Sequence, residues 1–273
     1  MRDCIKTVLK LFLIGLITTG VRIVGQLLIP AGTQTVLAPS SFAQNGTMPL
    51  AFTLYGIFAY SVFAAMFLLI RERMDGNRLW QGISYSLACC AVWVTYLWEP
   101  LPHVAAMDRI TYPIADSLAL IVMGLFLGRM FGKERAKAEK RPRTYGIFPM
   151  LGITAAFLVG RLFLYFAADI YASFAEQPLE TLLWCLITGW AVACVMAWMS
   201  RFVAGGRIKR AVLLGGVLFG VDLLLFNFFM PLVFAADVSD LLLRTLTDAV
   251  SVTVGCLFLP GREEMHACYS KSR

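Results

Sequence analysis

The chain reads as an all-α polytopic membrane protein: eight transmembrane helices arranged as two tandem four-helix repeats in parallel orientation. Three observations predict it. Hydrophobic residues make up 59% of the 273 and charged ones 15%, with a mean hydropathy of +0.73; a soluble core cannot enclose so much apolar side chain, so lipid must be the solvent. The Lys and Arg residues behind the net charge of +7 cluster between apolar runs, on alternate connections, which is a topology signal rather than a nucleic-acid footprint. Finally, one stretch occurs twice. Asp116 and Asp248 each head an apolar run, and with one laid on the other Val122, Leu125, Phe126 and Leu127 meet Val254, Leu257, Phe258 and Leu259. Leu-Phe-Leu is cheap in so apolar a chain, but a lone carboxylate at the same place in two membrane-length runs is not.

In order, the first span, about 8–30, follows a basic N-terminus; its length and the presence of Arg22 argue against a cleaved signal peptide. Residues 31–48 carry no charge and read as an outer loop, with a sequon at Asn45 that matters only if the source glycosylates. Spans at about 50–70 and 80–99 flank a turn holding Arg71, Arg73 and Arg78. The fourth, about 110–131, contains Asp116 and the spacing Gly124-x-x-x-Gly128, which lets helices approach closely. The basic segment 129–143 follows. Its residues 133–143 are expected to form a cytoplasmic linker with affinity for anionic lipid headgroups, between a first half (1–132) and a second (144–273). Spans at about 144–168, 179–199, 209–233 and 241–259 complete the chain and carry Arg161, Asp222 and Asp248. Cationic residues gather at the N-terminus, in 71–78, 129–143 and 201–210, and in the C-terminal tail, whereas the opposite loops hold only Arg109 and Arg244. Both termini are therefore expected to be cytoplasmic, in a plasma or inner membrane.

Further correspondences extend the repeat. Pro49-Leu50 before the second span matches Pro178-Leu179 before the sixth, Pro102 matches Pro231, and Arg22 matches Arg161. Four spans return the chain to its starting side, so two such halves share one orientation, related by an axis along the membrane normal.

Arg22, Asp116, Arg161, Asp222 and Asp248 each lie seven to nine residues below the outer end of their span. At 1.5 Å per helical residue this places all five roughly 10–14 Å below the outer surface. An unpaired charge there costs roughly 2.5–3.5 kcal/mol, so the residues must answer one another. The economical pairing is Arg22 with Asp116 and Arg161 with Asp248, with Arg244, four residues before Asp248, as a competing partner. Asp222 has no twin, because Trp93 stands in its place, and it is read as a specialised acid suited to reversible protonation. Asn227 extends its polar patch.

A blander reading stands beside each of these. The charge pairs need do no more than fix helix register. The six tryptophans and nine tyrosines read first as interfacial anchors and core filling. Glu99, Asp108, Asp169, Glu176, Glu180, Asp237 and Asp240 read as a solvated acidic rim. Cys89, Cys90, Cys185, Cys194 and Cys256 lie in apolar runs without C-x-x-C or Cys/His spacing and are expected as free thiols. With no H-E-x-x-H, G-x-S-x-G or phosphate-binding loop, no enzymatic activity, cofactor or metal is expected. Two classes of function remain. One is a carrier for a small solute, anionic or lipid-like, with the five intramembrane charges lining its site and Asp222 coupling it to protons. The other is a non-catalytic membrane subunit or scaffold. The expected partners are the bilayer and the solute, not nucleic acid, with a homo-oligomer or partner subunit left open.

Overall fold

The computed structural model describes residues 2–29, 32–134 and 146–260. Among these residues the fold is helical, apart from an isolated antiparallel bridge between Pro39 and Phe234. The helices are α1 (Arg2–Leu28), a short α2 (Ser41–Gln44), α3 (Met48–Ile70), α4 (Arg78–Leu97), α5 (Asp108–Phe131), α6 (Ile147–Ala167) and α7 (Pro178–Ser200). Then α8 (Arg207–Ala211) passes without a break through a π-helical stretch, Val212–Phe219, into α9 (Gly220–Asn227), followed by α10 (Met230–Val233) and α11 (Val238–Cys256).

Six of these segments are long and apolar enough to cross a membrane: α1, α3, α5, α6, α7 and the run from α8 to α10. They mark the chain as a membrane protein. Helices α4 and α11, of 20 and 19 residues, are long enough but more polar. The first holds Gln81, Ser84, Ser86 and Thr95, the second Asp240, Arg244, Thr245, Thr247 and Asp248.

Boundaries differ from expectation for local reasons. Helix α1 starts before residue 8 because Lys6 and Lys10 are good helix formers and extend the coil beyond the apolar run. The outer loop contains α2, whose first turn is capped by Ser40, with the Ala43 N–H donating to Oγ at 3.1 Å. That loop also reaches the second half, since the Ser40 N–H donates to Val233 O at 3.0 Å and the Ala235 N–H to Ala38 O at 2.8 Å. The seventh predicted span breaks after Asn227, and Pro231, lacking an N–H, opens the next turn. Pro113 lies inside α5 and leaves the carbonyl of Arg109 without its helical donor; the Trp98 indole N–H supplies one at 2.9 Å. The greater part of the predicted linker, 135–143, and the tail after Pro260 fall outside the described residues, as do the lipid-headgroup contacts expected of that linker.

Two sets of four helices share one order of neighbours. In the first, α1 lies on α3 and α5, and α4 lies on α5; in the second, α6 lies on α7 and α11, and the α8-to-α9 run lies on α11. Across the sets α4 packs on α7, and α3 on α9. Small residues set the closest approaches. A Cβ on Gly82 would stand 2.1 Å from Gly124 O, and one on Gly215 would stand 2.4 Å from the backbone of Thr253. The widened π turns around Gly215 bring that backbone up to α11. Leu27, Leu28, Phe148, Phe166 and Leu179 face outward, where lipid is the solvent.

Replacing Gly82 by Val should separate α4 from α5. Overpacking of this kind costs roughly 1–3 kcal/mol, so the variant should melt several degrees lower in detergent than the wild type, whereas Gly20→Val, whose Cβ would meet nothing within 4 Å, should melt close to it.

Candidate functional site

A cavity of about 420 Å³ lies between the two helix sets, at the end of the bundle where α1 closes and α3 opens. Its walls come from α1 (Arg22, Leu27), α3 (Phe52, Tyr60), the end of α4 and the following loop (Trp93, Tyr96, Glu99, His103), α5 (Asp108, Asp116), α9 (Phe226, Asn227) and α11 (Leu241, Arg244). The volume falls in the range of small-molecule sites, as does a lining that is mostly apolar with a few convergent polar groups.

Arg22 and Asp116 form one charged wall of the cavity. The Arg22 Nε–H donates to Asp116 Oδ1, the guanidinium lies 5.9 Å from the centre of the Tyr112 ring, and both charged side chains are more than nine-tenths buried. Close packing of Gly25 on Ala115 brings α1 and α5 to the separation this pair requires. The Nη1 atom of Arg22 is buried and has no hydrogen-bond partner in the protein.

Arg161 is held differently. It is wholly buried, and Nη2 donates to Asp248 Oδ2 at 2.6 Å while Nη1 donates to Glu99 Oε1 at 2.8 Å. The Tyr96 hydroxyl donates to the same Asp248 oxygen at 3.0 Å. Three rings clasp the guanidinium, with Trp184 at 4.7 Å, Tyr96 at 5.5 Å and Phe157 at 5.6 Å from its central carbon. Glu99 also accepts from Arg244 Nη1 at 3.0 Å, and Arg244 continues to Asp240 at 3.2 Å and to the Tyr171 carbonyl. The result is a continuous chain, Asp240–Arg244–Glu99–Arg161–Asp248, buried from Arg244 onward, of which Glu99 and Arg244 line the cavity while Arg161 and Asp248 lie behind Tyr96.

Asp222 is buried and accepts from the Trp93 indole N–H at 2.8 Å. It does not reach the cavity wall, whereas Trp93 does. Asn227, on the same helix, donates to Thr245 at 2.8 Å.

Of the five residues singled out from sequence, two therefore line the cavity, two form a sealed pair and one sits behind a tryptophan. Two readings of the rim are corrected. Glu99 and Asp108 are not solvated edge residues but are 4% and 5% exposed. The stretch from Glu99 to His103 turns inward and delivers Glu99 to two arginines, and Asp108 accepts from the Gly32 N–H at 2.7 Å. Arg244 does not compete for Asp248, because it points away toward Glu99 and Asp240. Among the tryptophans, Trp93 and Trp184 are core residues, while Trp80 and Trp98 are exposed. Cys89, Cys90, Cys185, Cys194 and Cys256 are free thiols. The cue that sequence reasoning passed over was Glu99-Pro100-Leu101-Pro102, a rigid segment too apolar for a free loop.

No protein family, no curated protein and no solved structure matches the chain. Fold and site together define a helical membrane protein with a charged cavity between two sets of helices.

Two outcomes follow from this geometry. Arg161→Gln leaves Glu99 and Asp248 with an uncompensated buried charge and should destabilise the protein by roughly 3–5 kcal/mol; Arg109→Gln, at the exposed pair with Glu180, should change stability by under ~1 kcal/mol. Thermal unfolding of both variants in detergent checks the contrast. Burial and the neighbouring Arg244 hold the His103 imidazole below its ordinary pKa, against a smaller opposing pull from Glu99 and Asp108. Neutral imidazole is thus the folded form, so its share of stability is intact above pH ~6.5 and is lost as pH falls below that value. The melting temperature should drop more between pH 7 and 5 for the wild type than for His103→Gln.

Proposed function

We propose that the protein is an eight-span carrier for a small solute, built from two tandem four-helix repeats in parallel orientation, with both termini on the cytoplasmic side and α4 and α11 as the two more polar spans. The observation that carries the reading is the cavity between the two sets, which exposes an intramembrane ion pair, Arg22–Asp116, to a space the size of a metabolite. A protein that needed charges only to fix helix register would close them off, as it does Arg161–Asp248. Ionisable residues at membrane depth that face an internal cavity mark substrate or proton pathways.

What supports the duplicated plan is the symmetry of contacts across the sets. A two-fold axis along the membrane normal exchanges α3 with α7 and α4 with α9, and so turns the α4–α7 contact into the α9–α3 contact; both occur. Tyr55 and Trp184 stand at the spacing that separates Trp93 from Asp222, which is 129 residues. Each donates to a carbonyl of the other set's third long helix, Tyr55 to Leu225 at 2.8 Å and Trp184 to Thr95 at 2.6 Å. Trp93 and Asp222, counterparts themselves, touch, as residues near such an axis should.

In this reading Arg22 and Asp116 contact the solute, Asp222 is the proton-coupling acid acting through Trp93, and Arg161 with Asp248 holds the second set rigid. No catalytic chemistry is assigned. The scaffold reading keeps one specific observation in its favour, the complete burial of Arg161 and Asp248, and it applies to that pair.

Uptake into liposomes, with and without a pH gradient, tests the proposal. Wild type should accumulate solute faster when a gradient is imposed, and Asp222→Asn should lose that acceleration by about tenfold or more while still assembling. Absence of uptake for every solute tried, together with unchanged assembly of Asp222→Asn, leaves the scaffold.

A further inference from the structure

Taking the cavity of the proposed carrier as its starting point, we propose that its ligand is an amphipathic carboxylic acid, held with the carboxylate on Arg22 and the apolar body along the aromatic wall, and drawn from the bilayer rather than from water.

The first argument concerns hydrogen-bonding capacity. Five charged side chains line the cavity, and each of the three carboxylates has one oxygen engaged: Asp116 Oδ1 by Arg22, Glu99 Oε1 by both Arg161 and Arg244, Asp108 Oδ1 by the Gly32 N–H. The two arginines keep donors to spare. Arg22 Nη1 and Arg244 Nε are buried with no partner in the protein, although both residues are more than nine-tenths buried. An orphaned guanidinium N–H in apolar surroundings is unfavourable, and a carboxylate satisfies it with a charge-assisted bond, bidentate where the fork allows. An alcohol oxygen accepts from it without that charge assistance, and an ammonium group cannot accept from it at all.

The second argument is the remainder of the wall. Beyond the charged groups and neutral polar ones such as Gln26, Thr53, Tyr60 and Tyr112, the greater part of the wall is apolar, with Phe52, Leu97, Phe226, Phe229, Val233 and Leu241, and it offers little to a sugar or a dicarboxylate and a great deal to an alkyl or aryl body. At ~30 Å³ for each water-sized group, 420 Å³ takes roughly a dozen non-hydrogen atoms, the size of a medium-chain fatty acid.

The third argument is access. Helices α1 and α3 touch tightly where Gly15 meets Ser61 and Gly56 meets Thr19. Toward their outer ends the cavity lies between them, bounded by Ile23 and Leu27 on one side and Met48 and Phe52 on the other. Leu27 lines the cavity and is also 80% exposed, so the opening faces the surface that lipid covers. A solute arriving there is one already dissolved in the membrane.

The test uses the full-length protein in zwitterionic lipid nanodiscs and the quenching of its tryptophan fluorescence, Trp93 being on the cavity wall, by bromine-substituted decanoate and by the matching bromine-substituted decanol. The acid should quench saturably and bind at least tenfold more tightly than the alcohol. In the doubly neutral variant Arg22→Gln with Asp116→Asn, which leaves no uncompensated charge, that preference should vanish while alcohol binding persists; in Trp93→Phe the saturable quenching should shrink. Equal binding of acid and alcohol, or a preference that survives in the double variant, overturns the assignment. Liposome transport separates this failure from that of the carrier: uptake of a water-soluble solute without acid preference removes the amphipathic ligand and leaves the carrier, whereas tight acid binding without uptake leaves the ligand and removes transport.

Discussion

The structure turns on Arg161. A guanidinium taken wholly out of water is tenable only where its charge is answered at close range, and a lone ion in a low-dielectric interior carries a penalty of several kcal/mol. Here two carboxylates and three aromatic faces answer it. Asp248 comes from α11 and is a neighbour in the same helix set. Glu99 comes from the end of α4, in the other set. One arginine thus fastens α4 to α6 and α11, and it requires the chain after α4 to turn inward instead of out to solvent. Arg244 donates to the same Glu99 oxygen, so two guanidinium groups meet this one buried side chain.

The two ion pairs laid down at one depth end in different surroundings, and a few side chains decide which is sealed. Four residues before Arg161 on its helix stands Phe157, whose ring covers the guanidinium; four residues before Arg22 stands Thr18. Trp184 covers Arg161, whereas Tyr55, its counterpart under the proposed duplication, turns to the Leu225 carbonyl instead. Tyr96 both covers Arg161 and binds Asp248; Leu225, its counterpart at the same spacing, can do neither. None of those three positions sets a ring against Arg22, whose pair with Asp116 borders the cavity. Asymmetry at a few aromatic positions converts one structural pair into an accessible one.

The residues that were legible in the sequence are those whose placement is decided locally. Arg22, Asp116, Arg161 and Asp248 stand out because a charge inside a membrane-length apolar run is costly wherever the helix later packs, and a shared depth makes them partners before any contact is known. The Gly124 and Gly128 seam was visible for the same reason, as a helical spacing. Glu99 and Arg244 were misread because their burial depends on a chain reversal and on helices from the other set; at the edge of an apolar run, a charge next to prolines looks the same whether the segment turns outward or inward. The cavity was not legible at all, since it is bounded by residues from α1 to α11 that only packing across the two sets brings together.

Asp222 shows how a residue can belong to the site without lining it. Its carboxylate is buried and meets one indole N–H, and that indole belongs to a ring packed among Tyr60, Phe63 and Phe226. Two of those neighbours, Tyr60 and Phe226, line the cavity together with Trp93 itself. A change of charge on Asp222 alters its hold on the indole, and a ring that shifts carries the cavity wall with it, because close-packed interiors have little free volume to absorb the movement. The adjoining π-helical stretch, where the ordinary helical ladder is already widened around Gly215 and Gly216, is the part of α8-to-α9 best able to accommodate such a shift. In the proposed carrier the acid therefore acts on the shape of the binding space more than on the charge within it, which separates the group assigned the proton from the groups assigned the ligand.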